Sequence, residues 1–216
     1  MRVFLIHGMG RTRISMMLLG RRLARAGFQP SSFGYLVTRE PLDGIAARFV
    51  EHVRSVVKEG EPFGVVGHSL GNIITRFASD RLPPEFSRFV MLAPPNNPPA
   101  IARAFSRNPV FKALTQDAGR RLTDPEFYAK LPVPTVPSLI FAGTSGPSAR
   151  WLPFRGAPSD GVVAVEETRL PGVPVVEVPC LHTFIMNDRS VTERMAHFLQ
   201  TGAIAATAEQ AGQAVR

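Results

Sequence analysis

Apolar residues follow two alternating patterns along the chain. Short continuous apolar runs are typical of strands buried on both faces of a parallel sheet. Between them, apolar residues recur every three or four positions, as on the inner face of a helix. Ile45, Phe49, Val53, Val56 and Val57 form one such face. The predicted strands are residues 3–6, 33–37, 63–66, 88–92, 138–142 and 175–178, and the predicted helices are residues 13–26, 42–59, 70–81 and a final helix containing residues 191–199.

This alternation predicts an α/β fold with a mostly parallel central sheet and helices on both faces, formed by a single domain over residues 1–200. Functional residues are then expected just after the strands, at their carboxyl ends. Residues 93–137 interrupt the alternation and are interpreted as a short cap-like insertion over the site, with helical pieces around 100–106 and 110–114. Residues 143–161 form a long loop rich in Gly, Pro and Ser, and the Ala/Gln/Gly-rich residues 201–216 are predicted to be a disordered tail.

The chain has a formal net charge of +8, and nearly all its basic residues are arginines. A basic chain can bind nucleic acid or an anionic surface. Here the arginines are scattered in short clusters without the interleaved aromatic residues of a single-strand binder, and no nucleic-acid reading module is recognisable. We therefore expect no nucleic-acid partner.

Membrane and metal signals are weak in this sequence. No apolar run approaches the ~20 residues of a membrane span, and residues 3–6 are too short for the core of a signal peptide. The expectation is a cytoplasmic protein with no stable membrane insertion, compatible with transient contact with a lipid interface. Cys180 is the only cysteine, which excludes an internal disulfide and argues against a cysteine-based metal site. No metal or cofactor is predicted, and the oligomeric state is left open.

The strongest chemical signal is the pentapeptide GHSLG at residues 67–71, which follows the apolar run 63–66 and precedes a helical pattern. Strand, G-x-S-x-G and helix are the signature of a nucleophile elbow. The turn is so tight that side chains two residues on either side of the serine would clash, and Gly67 and Gly71 remove that clash. Ser69 is therefore the predicted nucleophile.

A serine nucleophile needs an imidazole base and a carboxylate that orients it. His182 is the histidine that follows a predicted strand end downstream of Ser69, so it is the preferred base. Asp160, at the end of the long loop after the strand 138–142, is the preferred acid. Asp80, Asp117 and Asp124 remain alternatives, whereas Glu166 and Glu167 are set aside because they are expected further along, in a separate extended segment.

The oxyanion formed during acyl transfer needs two backbone N–H donors. Leu70 follows the nucleophile and supplies one. Met9, in the glycine loop His7-Gly8-Met9-Gly10 after the first strand, is assigned the other. A phosphate-binding loop is the competing interpretation, but Arg13 stands where a third glycine is needed and no Gly-Lys-Ser/Thr follows.

Together these motifs resemble the α/β-hydrolase superfamily, and within it the small bacterial lipase- and esterase-like serine hydrolases. The resemblance covers residues 3 to about 199 and includes Leu181-His182-Thr183-Phe184 and Ser159-Asp160-Gly161-Val162-Val163. It implies Ser69 as nucleophile, Asp160 as acid and His182 as base. The sequence begins at the position of the family's third strand, its cap is short, and it has no evident calcium motif.

The expected activity is hydrolysis of a small-molecule carboxylic ester through an acyl-enzyme on Ser69. A thioesterase or amidase would use the same triad, and a non-catalytic binding module with this fold is the alternative from another class. The acyl group is expected to occupy an apolar pocket. Candidate lining residues are Phe105, Phe111, Trp151, Phe154 and Phe184.

Overall fold

The computed structural model describes residues 1–204, and its centre is one six-stranded sheet. The strands are β1 (Arg2–Ile6), β2 (Gln29–Phe33), β3 (Phe63–His68), β4 (Phe86–Leu92), β5 (Ser138–Gly143) and β6 (Val175–Val178). They lie in the order β2-β1-β3-β4-β5-β6, and every neighbouring pair is parallel. The chain therefore has the parallel α/β architecture that the apolar pattern predicts.

Helices cover both faces of the sheet, because alternate strand residues point to opposite sides. In β1, Phe4 and Ile6 belong to one buried cluster, whereas Val3 and Leu5 belong to the other. The helices are α1 (Met17–Arg25), α2 (Leu42–Val56), α3 (Leu70–Ala78), α4 (Ala100–Phe105), α5 (Pro109–Arg121), α6 (Pro125–Lys130), α7 (Val165–Thr168) and α8 (Arg189–Thr201). The first cluster lies under α2 and α3, and the second lies under α1 and α8.

The second strand lies earlier in the chain than its apolar pattern predicts. The prediction placed it at residues 33–37, but β2 is the polar segment Gln29–Phe33 at the edge of the sheet. Phe33, Tyr35 and Val37 are all buried, although residues 34–37 form a loop. A loop whose alternate side chains contact the core produces the same period of two as a strand, which is why the prediction was wrong.

The segment 93–137 contains three helices, α4 to α6, rather than the two predicted pieces. Asn108 accepts hydrogen bonds from the backbone of Val110 and Phe111 and so caps α5, and Asp124 caps α6.

The segment around Glu166 and Glu167 was predicted to be extended, and this was wrong, because the two residues lie in the helical turn α7. Residues 205–216, which include most of the predicted tail, lie outside the described residues; Thr201 is the last residue of α8.

The buried side chain of Arg76 joins α3 to the segment 93–137. Its guanidinium donates to the backbone carbonyls of Leu131 and Pro132 at 3.1 and 3.0 Å and to Oδ1 of Asn96 at 3.1 Å. Asn96 in turn donates to the carbonyl of Thr168 at 2.7 Å. Burial lowers the pKa of Arg76 to about 10, so the side chain is still a cation at neutral pH.

Within residues 1–204, no helix has both the length and the apolar composition that crossing a bilayer requires.

Candidate active site

Ser69 lies at the junction of β3 and α3 in a strained backbone conformation. Its φ of 52° and ψ of −119° are rare for a residue with a side chain. A Cβ atom on Gly67 would lie 2.8 Å from the backbone nitrogen of Asn72, and one on Gly71 would lie 2.9 Å from the carbonyl oxygen of His7. Because these neighbours are backbone atoms, neither position has room for a larger residue. This is the geometry of a nucleophile elbow.

Asp160 and His182 are brought together at the carboxyl ends of β5 and β6. Nδ1 of His182 donates to Oδ2 of Asp160 at 2.7 Å. The other oxygen, Oδ1, accepts from the backbone N–H groups of Val162 at 2.9 Å and Val163 at 2.7 Å. Both side chains are buried. An imidazole with its Nδ1 proton held by a carboxylate keeps the Nε2 lone pair free to accept a proton, as a general base requires.

His68 connects this pair to the elbow. Its Nε2–H donates to the backbone carbonyl of His182 at 3.0 Å, and the two rings lie with their centroids 4.9 Å apart. Since His68 directly precedes Ser69, this contact joins the loop of His182 to the β3–α3 junction that carries Ser69. Gly8 closes the other side, where a Cβ would lie 2.8 Å from Nδ1 of His68 and 3.0 Å from Cβ of Ser69.

The role of His68 was missed in the sequence analysis. The side chain is fully buried, and its Nδ1 has no hydrogen-bond partner within residues 1–204. Burial, followed by the neighbouring His182, holds the pKa of His68 well below its usual value. His68 is therefore a neutral ring that links the two chain segments carrying Ser69 and His182. Its partner is 114 residues away, so no local pattern could have identified the contact.

The loop after β1 lies against the elbow with its backbone N–H groups available. Among residues 1–204, neither the Met9 N–H nor the Leu70 N–H donates to a protein acceptor. Leu70 is the first residue of α3, where N–H groups have no partner inside the helix. His7 holds the loop in place, because its ring stacks on Tyr35 at 4.2 Å and its carbonyl accepts from the Tyr35 hydroxyl at 2.8 Å. Two such donors could bind an oxyanion.

Two of the three alternative acids, Asp117 and Asp124, are engaged elsewhere, and the third, Asp80, is exposed in the 3₁₀ turn Ser79–Arg81 after α3. Asp117 accepts from the backbone N–H of Leu42 and forms ion pairs with Arg120 and Arg121. Asp124 caps α6 through the N–H of Glu126. Glu167 accepts from the N–H groups of Ala100 and Ala164, and burial raises its pKa. None of these carboxylates contacts His182 in the part of the chain that the structure describes.

The candidate acyl-pocket residues lie in different environments. Phe154 is buried, whereas Trp151 is 85% exposed and Phe184 is 57% exposed. Phe111 lines a cavity of about 560 Å³ with Thr115 and Gly119 on the same helix, and the lining of that cavity includes no residue of the Ser69, Asp160 and His182 group. Phe105 is half exposed on α4.

Within residues 1–204, no group of three His, Cys, Asp or Glu side chains is placed to hold a metal ion. Cys180 is buried, and burial together with the nearby Asp188 raises its pKa to about 11. A thiol with such a pKa is a poor nucleophile at neutral pH.

Solved structures with the same fold include several lipid-acting and ester-acting enzymes. The mature lipase BlEst2 from Bacillus licheniformis is 16% identical, with a TM-score of 0.70 over 94% of this chain and 92% of that one. The metagenomic carboxyl esterase MGS0156 is 17% identical, with a TM-score of 0.66 over 84% of this chain and 64% of that one. Phospholipase PlaB from Legionella pneumophila is 20% identical, with a TM-score of 0.59 over 78% of this chain and 46% of that one.

The chain thus spans less than half of the phospholipase, about two thirds of the esterase and nearly all of the lipase. At these identities the likeness establishes the fold alone. No curated protein matches the sequence. The model of the alpha/beta hydrolase family matches residues 3–215, almost the full length, and the chain therefore belongs to this family of hydrolases.

Proposed function

We propose that the protein is a serine hydrolase that cleaves carboxylic esters through an acyl-enzyme on Ser69. The observation that carries the proposal is the buried pair of His182 and Asp160, in which Nδ1 and Oδ2 are 2.7 Å apart, together with the hydrogen bond from His68, the residue before Ser69, to the backbone carbonyl of His182. The family supports hydrolysis, and the lipase and esterase with this fold support an ester as the bond that is cleaved.

In the proposed mechanism, Oγ of Ser69 attacks the ester carbonyl while Nε2 of His182 takes its proton. Asp160 holds the Nδ1 proton and stabilises the imidazolium that forms. The N–H groups of Met9 and Leu70 bind the oxyanion of the tetrahedral intermediate. His182 then protonates the departing alcohol, and in the second half-reaction it takes a proton from the water that releases the acid and restores Ser69.

The proposal is tested with p-nitrophenyl esters from acetate to palmitate, using wild type, Ser69→Ala and Ser55→Ala. Ser55 is an exposed serine on α2 whose hydroxyl donates to a carbonyl within its own helix, so its loss controls for serine removal in general. We expect Ser69→Ala to lose nearly all turnover and labelling by a fluorophosphonate probe, while Ser55→Ala keeps both. The chain-length profile then separates an esterase from a lipase.

Two results would contradict the proposal in different ways. Labelling of Ser69 without turnover of any oxygen ester would point to another acyl donor, with thioesters the first to test. Absence of both labelling and turnover in a folded wild-type protein would favour a binding module that keeps the fold without the chemistry.

A further inference from the structure

The positive charge of this protein is concentrated at its amino-terminal end. Residues 1–39 contain seven arginines and no aspartate or glutamate, so the rest of the chain is close to neutral even though the whole carries +8. In the structure, this acid-free segment comprises β1, the loop with Met9, the 3₁₀ turn Arg13–Met16, α1 and β2. Arg13, Arg21 and Arg25 of this segment are exposed, and none of them forms an ion pair within residues 1–204.

The outer surface of this segment is also apolar. Ile14 is 67% exposed, Met17 is 44% exposed and Leu18 is 42% exposed. With Arg21 and Arg25 they stand at i, i+3, i+4, i+7 and i+11, which places all five on one side of the helical segment formed by the turn Arg13–Met16 and α1. We call these five residues the α1 face. Because Met16, Leu19 and Leu23 on the opposite side already pack into the core, the exposed apolar side chains are not needed for folding.

Helix α1 contacts the chain segment that follows His182. Arg22 donates to the carbonyl of Asn187 at 2.6 Å and so joins α1 to the 3₁₀ turn Ile185–Asn187. The loop just before that turn carries His182 between two exposed apolar residues, Leu181 and Phe184. A ligand bound at the α1 face is therefore close to the loop of His182.

Arg13, which precedes Ile14 of the α1 face, also lines a cleft at the protein surface. This open cleft of about 840 Å³ is lined by Arg13, Arg39 and Leu36 and reaches His7, directly before the loop of Met9. Arg13 and Arg39 form no ion pair with an acidic residue within residues 1–204. The cleft also contains Glu40, which is paired with Arg48, and Glu51, so the unpaired arginines of its lining are limited to Arg13 and Arg39 and do not extend throughout it.

We propose that the α1 face binds the surface of an anionic lipid bilayer and so brings the active site to esters held in that bilayer. The inference rests on the proposed function for the substrate, but the binding itself is independent of catalysis. Arginines are attracted to anionic headgroups, and Ile14, Met17 and Leu18 enter the boundary between headgroups and acyl chains. Nucleic acid would use the charge but would gain nothing from exposed aliphatic side chains.

The experiment measures cosedimentation with vesicles in a Ser69→Ala background, which prevents hydrolysis of the lipid. One set of vesicles is pure phosphatidylcholine, and the other contains equal parts of phosphatidylcholine and phosphatidylglycerol. We expect binding to the mixed vesicles only. Removing one arginine near the surface should weaken binding about five-fold, so Arg21→Gln/Arg25→Gln should weaken it about 25-fold. Met17→Gln/Leu18→Gln should also release the protein, because it removes the inserted groups.

Two matched controls make the test specific to this face. Arg103→Gln/Arg120→Gln removes the same charge from two exposed arginines on α4 and α5, and it should weaken binding far less than the pair on α1. Val110→Gln/Leu114→Gln removes two more strongly exposed apolar residues from α5 and should leave binding unchanged. Hydrolysis of p-nitrophenyl acetate by the α1 variants with Ser69 intact should equal that of wild type.

The inference is overturned if the mixed vesicles do not bind the protein, or if the α1 variants bind as well as the Ser69→Ala parent. It is also overturned if the Val110/Leu114 variant is the one that loses binding, or if duplex DNA is bound as tightly as the vesicles and without dependence on Met17 and Leu18. Hydrolysis of soluble esters without vesicle binding contradicts this inference alone. Vesicle binding without hydrolysis of any ester contradicts the proposed function alone.

Discussion

At the scale of single residues, Asp160 uses its two carboxylate oxygens for two different tasks. Oδ1 holds the turn at residues 160–163 through two backbone N–H groups, and Oδ2 accepts from His182. Asparagine can keep the first task, because its carbonyl oxygen can still accept from both N–H groups. It cannot keep the second, because its amide nitrogen would then face Nδ1 of His182 and favour the tautomer with the proton on Nε2.

We therefore expect Asp160→Asn to fold like wild type and to lose turnover by about 10⁴-fold, since His182 could no longer act as the base. Turnover of p-nitrophenyl butyrate and the urea midpoint of unfolding measure the two effects. Asp124→Asn is the matched control, because asparagine caps a helix as well as aspartate does and α6 should be unaffected. Near-normal turnover in Asp160→Asn, or a large loss in Asp124→Asn, would assign the acid to another residue.

The local motif around Ser69 is readable from sequence because its constraints are local. The glycines at 67 and 71 are needed by atoms within a few positions of them or on the adjacent strand. The contact between His68 and the carbonyl of His182 is different, because it depends on how β3 and β6 are placed in the finished sheet. The sequence shows that residue 68 is a histidine, but it does not show that this histidine contacts His182.

At the scale of elements, the junction between β1 and α3 has almost no free space. A Cβ on Gly71 would meet the carbonyl oxygens of both Ile6 and His7, which are backbone atoms of the strand that leads to the loop of Met9. Either α3 or the end of β1 would have to move. Gly44, near the start of α2, provides the contrast, because its nearest neighbours lie at 3.8 Å or more.

We expect Gly71→Ala to lower the free energy of unfolding by about 3 kcal/mol, because the added methyl group overpacks against backbone. Gly44→Ala should raise it by up to about 1 kcal/mol, because alanine stabilises a helix relative to glycine. Urea denaturation of both variants measures the difference. Equal effects of the two substitutions would mean that the elbow can open to accept a side chain.

Elements with a buried apolar pattern are predictable, and elements without one are not. The strands β3, β4 and β5 lie within two residues of their predicted bounds, because each is flanked by strands on both sides and buries apolar side chains on both faces. The edge strand β6 also matches its bounds, because three of its four residues are valines, although Glu177 is exposed. The edge strand β2 is polar, with Pro30, Ser31 and Ser32 at its centre, and so gives no such signal. The helix α6 is short and was missed, although Asp124 followed by Pro125 is a recognisable helix start.

At the scale of the whole molecule, three buried or partly buried histidines make the folded state resist protonation. Burial lowers the pKa of His7, of His52 and, most strongly, of His68 from the ordinary value of 6.5. For His68, the neighbouring His182, Arg11 and His7 add to the cost of a charge. Below pH 6.5 these histidines therefore bind protons in the unfolded chain that they do not bind in the folded chain, and their contribution to stability falls as the pH falls.

The contribution of His68 can be isolated with His68→Gln. Glutamine does not titrate, and its amide can still donate to the carbonyl of His182. If folded His68 stays neutral, its contribution at about pH 5.5 is a loss of about 1.4 kcal/mol relative to pH 7.5. The free energy of unfolding of wild type should therefore drop more steeply than that of the variant, by about this amount, when both are measured by urea denaturation at the two pH values.

His7 and His52 remain in both proteins, so a residual fall in the variant is expected. Parallel pH profiles would mean that His68 is protonated in the folded protein, and the link between Ser69 and His182 would then carry a charge rather than a neutral ring.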